Sequence, residues 1–258
     1  MDNGSLIIAC RCCDETAARG FGCTLAHMDY AIKNGRLFRE CEPCSKGLLV
    51  LHVDSGAAVP DDARFFARQL AGECSKFGFR GVIADIEGEC SPKYSAFLRQ
   101  VSAELLRYDL SFTVPMEYAA SVPEGCFIKI PGAVSGGSFC ELLDECVKKW
   151  GAGRLIMELE VSCERFALPC TCSERISRRE LDELNGAYLP MSFFSHDLQT
   201  NYFTYVDGGK RLNCVFYDDL GSLRSRMRQA ELRGIRRFIA LYPEIQPWLR
   251  DIIRKNKA

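Results

Sequence analysis

Asp85 and Glu87 stand one residue apart in the run Gly81-Val82-Ile83-Ala84-Asp85-Ile86-Glu87-Gly88. The apolar stretch before them reads as a strand. Side chains alternate across a strand with period two, so Ile83, Asp85 and Glu87 project to one side. Two carboxylates crowded at a strand end repel each other, and that repulsion favours keeping one of them protonated. A carboxyl kept protonated in this way is what a general acid requires, a group that delivers a proton to a leaving atom. The competing use of the same pair is structural, an ion pair with a nearby Lys or Arg.

Such a pair acts only if other elements hold it at an open surface. Eight short apolar runs read as strands: Ser5 to Cys10, Gly22 to Met28, Gly47 to Val53, Gly81 to Ile86, Leu110 to Pro115, Cys126 to Ile130, Arg154 to Leu159 and Arg236 to Leu241. Between them, Asp61 to Phe77, Tyr94 to Arg107, Phe139 to Trp150 and Ser222 to Arg233 carry apolar residues three and four apart, the helical period. Gly78, Gly151 and Gly234 punctuate the helix ends. Strands alternating with helices imply a parallel sheet, and eight repeats imply closure into an α/β fold of the (β/α)8 TIM-barrel type. The 258 residues match the roughly 250 such a domain uses, so residues 1–258 are expected to form one domain. The segment from about 163 to 217 breaks the rhythm with a charged helix-like part, Ser177 to Leu184, and an aromatic run, Phe193 to Tyr205. It reads as an excursion between the seventh and eighth strands, a small subdomain beside the barrel mouth.

Active sites of these barrels lie at the C-terminal strand ends. The fourth run places Asp85 and Glu87 there as catalytic candidates, and Asp29, Asp54, Glu117, Glu158 and Glu160 end or follow other strands. Singly, each of these reads as a helix N-cap or a solvated loop charge before it reads as a site residue. His27 and His52 fall on apolar strands and read as core histidines rather than ligands.

The balance of 33 basic against 34 acidic residues, net charge -1, gives no electrostatic reason to expect a nucleic-acid partner. No apolar run approaches the roughly 20 residues needed to span a bilayer, so no membrane partner is expected either. Met1-Asp2-Asn3-Gly4 lacks a basic segment followed by an apolar core, so no secretory signal is expected. The 15 cysteines are scattered through strands and helices, unlike the framework of a small disulfide-rich domain. Cys10, Cys126 and Cys214 sit in apolar runs and read as small packed hydrophobes. The pairs Cys12-Cys13, Cys41-x-x-Cys44 and Cys170-x-Cys172 leave cross-linking or metal binding open, but no second pair stands at zinc-ribbon spacing. Neither a metal nor another cofactor is expected.

The run Gly78-Phe79-Arg80-Gly81-Val82-Ile83-Ala84-Asp85-Ile86-Glu87 resembles the D-G-x-D-x-D-x-E signature of family 18 glycoside hydrolases. Gly81, Asp85 and Glu87 are kept, while Arg80 and Ile83 replace the first two acids. A second block, Asn201-Tyr202-Phe203-Thr204-Tyr205 followed by Val215-Phe216-Tyr217-Asp218-Asp219-x-x-Ser222, resembles P-Y-F-x-Y and V-W-[FY]-[ED]-D-x-x-S of the spore-cortex-lytic N-acetylglucosaminidase branch. The resemblance covers nearly the whole chain. It implies substrate-assisted hydrolysis of a polymer containing N-acetylglucosamine, peptidoglycan or chitin-like, with Glu87 as the acid and Asp85 orienting the acetamido group. Asp29, Asp54, Glu117, Tyr118, Glu158 and Tyr242 are the substrate-binding candidates.

Two departures mark a degenerate site. The family's sixth-strand M-x-Y-D is replaced by Phe127-Ile128-Lys129-Ile130, with no Tyr at the matching place, and Met116-Glu117-Tyr118 belongs to the fifth strand. The eighth-strand Trp that floors the family's sugar site is missing from Ala240-Leu241-Tyr242, leaving Tyr242 as the substitute stacking surface. A second function therefore stays in play, a catalytically silent barrel that binds glycan or builds a spore coat. The cysteines suit that alternative, since thiols cross-link once their surroundings turn oxidising. Without an export signal, either protein is expected in the cytoplasm or made in a mother cell and associated with the spore.

Overall fold

The computed structural model describes residues 5–254 apart from 55, 89, 170 and 171. Met1-Asp2-Asn3-Gly4 and one half of the Cys170-x-Cys172 pair therefore lie outside the described residues. In chain order the strands are β1 (Leu6–Cys10), β2 (Thr24–Lys33), β3 (Arg36–Arg39), β4 (Leu48–Val53), β5 (Gly81–Ile86), β6 (Ser111–Pro115), β7 (Phe127–Ile130), β8 (Leu155–Glu158), β9 (Cys163–Ala167), β10 (Ser173–Arg175), β11 (Phe193–Ser195), β12 (Thr200–Val206), β13 (Leu212–Tyr217) and β14 (Arg237–Leu241). The helices used below are α1 (Glu15–Arg19), α2 (Ala63–Phe77), α3 (Pro92–Leu106), α4 (Phe139–Trp150), α5 (Arg178–Tyr188) and α6 (Leu220–Leu232). By its internal contacts the chain divides into two compact units. The first comprises Met1–Ile130, Trp150–Glu158 and Ile235–Ala258; the second comprises Pro131–Lys149 and Leu159–Gly234.

In the first unit β1, β14, β8, β7, β6, β5, β4 and β2 pair side by side in that order, all parallel, and β1 pairs with β2 to close the ring. This is the eight-stranded α/β barrel. Each of its strands overlaps one of the eight runs read from the sequence. Alternation sorts their side chains: Ile7, Ala9, Ala26, Val50, Ile83, Ile156 and Ile239 form the interior. Leu49, Leu51, Val53, Val82 and Ala84 point outward and pack with Phe66, Leu70, Phe97 and Val101 of α2 and α3.

The sequence supplies the stops and starts. Asp62 caps α2 by accepting the Phe65 N–H, the short polar side chain satisfying a donor that the first turn leaves unpaired. Gly78 ends the helix at φ 70°, the left-handed position that favours glycine. Gly81 opens β5 where a Cβ would lie 2.4 Å from the Ser111 carbonyl oxygen, so the β5–β6 approach requires its missing side chain.

In the second unit β9 to β13 form one antiparallel sheet, in the order β10-β9-β13-β12-β11. In sequence this sheet falls between the seventh and eighth barrel strands, where the excursion was expected. Ile176, Leu181, Phe203, Tyr205 and Val215 make its small core, so Phe203 and Tyr205 are packing residues. The Val215 to Ser222 block is structural too. Asp218 is fully buried, and its carboxylate accepts hydrogen bonds from Ser162 N–H and Oγ, Thr200 Oγ1 and Ser222 Oγ, and pairs with Arg226 at 2.8 Å. Asp219 caps α6 in a reciprocal box with Ser222.

Candidate active site

The inward face of β5 carries Ile83 and then Asp85, and Glu87 follows the strand end with its backbone N–H bonded to the Val53 carbonyl. Both acids face one residue, His52, which follows Val50 on the inward face of β4. His52 Nδ1 lies 3.3 Å from Asp85 Oδ2, and its Nε2 lies 3.1 Å from Asp54 Oδ1 and 3.9 Å from Glu87 Oε1. Asp85 and Glu87 thus share a side, as strand alternation requires.

From the opposite quarter, Lys129 reaches in from the inward face of β7. Its Nζ sits 3.0 Å from Asp85 Oδ1 and 3.1 Å from Glu158 Oε2 at the end of β8. These partners set the charge of Asp85. Burial alone would raise the Asp85 carboxyl, but the Lys129 ammonium and the His52 ring hold it below the usual carboxylate range. Burial likewise works against the charge on Lys129, and Glu158 and Asp85 overcome it, raising its pKa. Burial lowers and the hydrogen bonds to Asp85 and Asp54 raise the His52 pKa, with a net upward shift. Asp85 is therefore an ionised group at neutral pH.

Glu87 itself is 64% exposed. With Asp54 it edges a cavity of about 770 Å³ that continues past Ile86, Lys93, Tyr94 and Tyr118. The structure thus brings Asp54, Asp85, Glu87 and Glu158 to the C-terminal strand ends around His52 and Lys129. Of the other sequence candidates, Tyr118 lines that cavity and the rest are placed elsewhere. Asp29 is buried on β2, accepting the Cys12 N–H. Glu117 is exposed, and Tyr118 is buried with its hydroxyl accepting the Ser91 N–H. Tyr242 is only 3% exposed and its ring packs near Phe21 at 6.3 Å, so it presents no open face for stacking a sugar.

Two residues of the site escaped the sequence reading. His52 lies on an apolar strand as a core histidine would, yet it is part-exposed and, against burial, its hydrogen bonds to Asp85 and Asp54 raise its pKa; its signal is the inward register shared with Leu48 and Val50. Lys129 was noted only as the absence of a Tyr, although a lysine in inward register at a barrel strand end needs an acidic partner. His27 does lie in the core, fully buried, with Glu15 at 3.8 Å. The cysteines divide as well. Cys10 and Cys126 are buried, and burial pushes the Cys10 thiol up to about 12. Cys12 and Cys41 form a disulfide between the segment after β1 and the segment after β3, a cross-link the scatter of cysteines did not predict.

No family model matches the sequence, and no curated protein matches it. Solved structures do match in fold. The spore cortex-lytic enzyme SleL of Bacillus megaterium superposes with a TM-score of 0.70 at 14% identity, over 96% of this chain and 73% of its own. A chitinase from Chromobacterium violaceum gives 0.71 at 11% identity, over 92% and 93% of the two chains. The class V chitinase of Nicotiana tobaccum gives 0.67 at 11% identity, over 98% of each. The fold is therefore the chitinase-like (β/α)8 barrel.

Proposed function

We propose that this chain is a glycoside hydrolase-like protein acting on polymers that contain N-acetylglucosamine, with Glu87 as the proton donor. The observation that carries the reading is the position of Glu87: exposed, at the C-terminal end of the fourth barrel strand, two residues after an ionised and partnered Asp85. The fold likeness to chitinases and a cortex-lytic enzyme supports the substrate class.

In the substrate-assisted route, Glu87 gives its proton to the glycosidic oxygen as the bond to the anomeric carbon breaks. The acetamido carbonyl oxygen of the same sugar forms the new bond to that carbon. Asp85 accepts the acetamido N–H and stabilises the positive charge that develops, a role that requires the ionised form Lys129 maintains. Glu87, now a carboxylate, takes a proton from water, which attacks the anomeric carbon and opens the cyclic intermediate. Two displacements at one carbon retain its configuration.

The test uses N-acetylglucosamine oligomers and cortex peptidoglycan fragments. Glu87→Gln keeps the shape of the side chain and removes its proton, so turnover should fall by about 10²- to 10⁴-fold with glycan binding kept. Turnover that survives the substitution removes Glu87 from the role.

One observation favours a second reading, a barrel that binds glycan or serves as a coat scaffold without turnover. Lys129 stands in the inward register of the strand that lacks the Tyr, already paired with Asp85, and Tyr242 is buried. That reading expects no hydrolysis by the parent protein and glycan binding indifferent to Glu87→Gln.

A further inference from the structure

His52, Asp54 and Glu87 converge at the barrel mouth in a way that neither their packing nor the hydrolytic scheme requires. One imidazole nitrogen and two carboxylate oxygens from these residues lie within 4.8 Å of one another. His52 Nε2 faces Asp54 at 3.1 Å and Glu87 at 3.9 Å. A single proton on Nε2 hydrogen-bonds the nearer carboxylate and leaves the other without a partner from the ring. A divalent cation answers all three ligands together.

The other side of the ring is fixed. His52 Nδ1 faces Asp85 Oδ2 at 3.3 Å, and Asp85 is held from behind by Lys129. The carboxylate at Nδ1 keeps a proton on that nitrogen, so a cation entering the cluster displaces only the Nε2 proton, the one that faces Asp54 and Glu87. Carboxylate, histidine and metal in this order is the arrangement in which an outer carboxylate orients and strengthens an imidazole ligand.

Scale agrees with this. Two metal–ligand bonds of about 2.1 Å span at most about 4.2 Å, so both histidine distances already fit. Asp54 and Glu87 are exposed side chains, and a small rotation of either draws the third pair of atoms inside the same span. We infer that His52, Asp54 and Glu87 form a binding site for a first-row divalent transition metal, with Asp85 as the group that orients His52. One imidazole with two carboxylates suits such ions better than calcium or magnesium, which prefer oxygen ligands alone. The exposure of the two acids leaves the remaining coordination positions to water. A bound ion takes the Glu87 carboxylate out of proton transfer. That consequence rests on the hydrolase reading, whereas the binding does not.

Cobalt(II) is the probe, because its absorption distinguishes nitrogen and oxygen ligands from the chain's many thiolates. The reduced protein should bind one equivalent saturably, with weak visible bands and without the near-ultraviolet band of a thiolate–cobalt bond. His52→Ala, Asp54→Asn and Glu87→Gln should each weaken binding by at least about tenfold, and Asp85→Asn by about 10- to 100-fold. Asp54 and Glu87 are exposed, so their variants test the site even where His52→Ala or Asp85→Asn fails to fold. The proposal is overturned by no saturable binding below millimolar cobalt, by affinity unchanged in Asp54→Asn and Glu87→Gln, or by a spectrum dominated by the thiolate band. Because the readout is binding, it decides the site whether or not the protein hydrolyses any glycan.

Discussion

Two charged clusters, one in each unit, answer the same problem in opposite ways. In the second unit, Asp218 and Arg226 are 0% and 1% exposed, and the carboxylate of Asp218 is saturated by Ser162, Thr200, Ser222 and Arg226. Arg226 also donates to the carbonyls of Gly132 and Glu160. In the barrel, Asp85 is 30% exposed and, among the described residues, accepts from Lys129 and His52, with Glu87 and Asp54 open to solvent beside it. Burial is costly for a charge unless its hydrogen bonds are filled. A cluster sealed and saturated is committed to holding the fold, and a cluster left half open keeps valences for a ligand or a proton. The block Val215 to Ser222 thus serves architecture, although it resembles a signature as clearly as the Asp85-Ile86-Glu87 run does.

The comparison breaks first at Asp218. Asp218→Ala leaves Arg226 buried and unpaired, so urea denaturation should register a loss of about 3–5 kcal/mol. A loss below about 1 kcal/mol would remove the distinction between the clusters. Lys129→Met in the half-open cluster should cost less, about 1–3 kcal/mol at pH 7, between the values for buried and exposed pairs. The direction with pH follows from Asp85. Its folded-state pKa lies below the unfolded value of about 3.9. The stabilisation it shares with Lys129 is therefore present above that value and lost as pH falls through the folded one. The stability gap between parent and Lys129→Met should be full at neutral pH and narrow in denaturation series run below about pH 4. A gap that widens in acid contradicts the assignment.

His52→Ala carries the smallest effect and the opposite sign. The folded-state pKa of His52 is raised, so its contribution is complete below the unfolded value of about 6.5 and fades as pH rises through the folded one. Thermal denaturation should separate parent from variant more at pH 5.5 than at pH 9.

The order of elements was legible in the chain itself. Short apolar runs marked all eight barrel strands, period three to four marked α2, α3, α4 and α6, and the loss of rhythm from about residue 163 located the inserted sheet. The shared side of Asp85 and Glu87 was equally local, because strand geometry fixes it between residues two apart. What those acids meet was decided elsewhere. His52 and Lys129 lie 33 and 44 residues from Asp85 in sequence. Only ring closure and the register of neighbouring strands set their side chains against it. The same holds for the Cys12–Cys41 bond across 29 residues and for Tyr242, which reads as a surface ring and is buried. Periodicity is a property of neighbours along the chain, so composition and spacing report it. The partner of a charge is a property of neighbours across the barrel, and that choice set Asp85 between a lysine and a histidine.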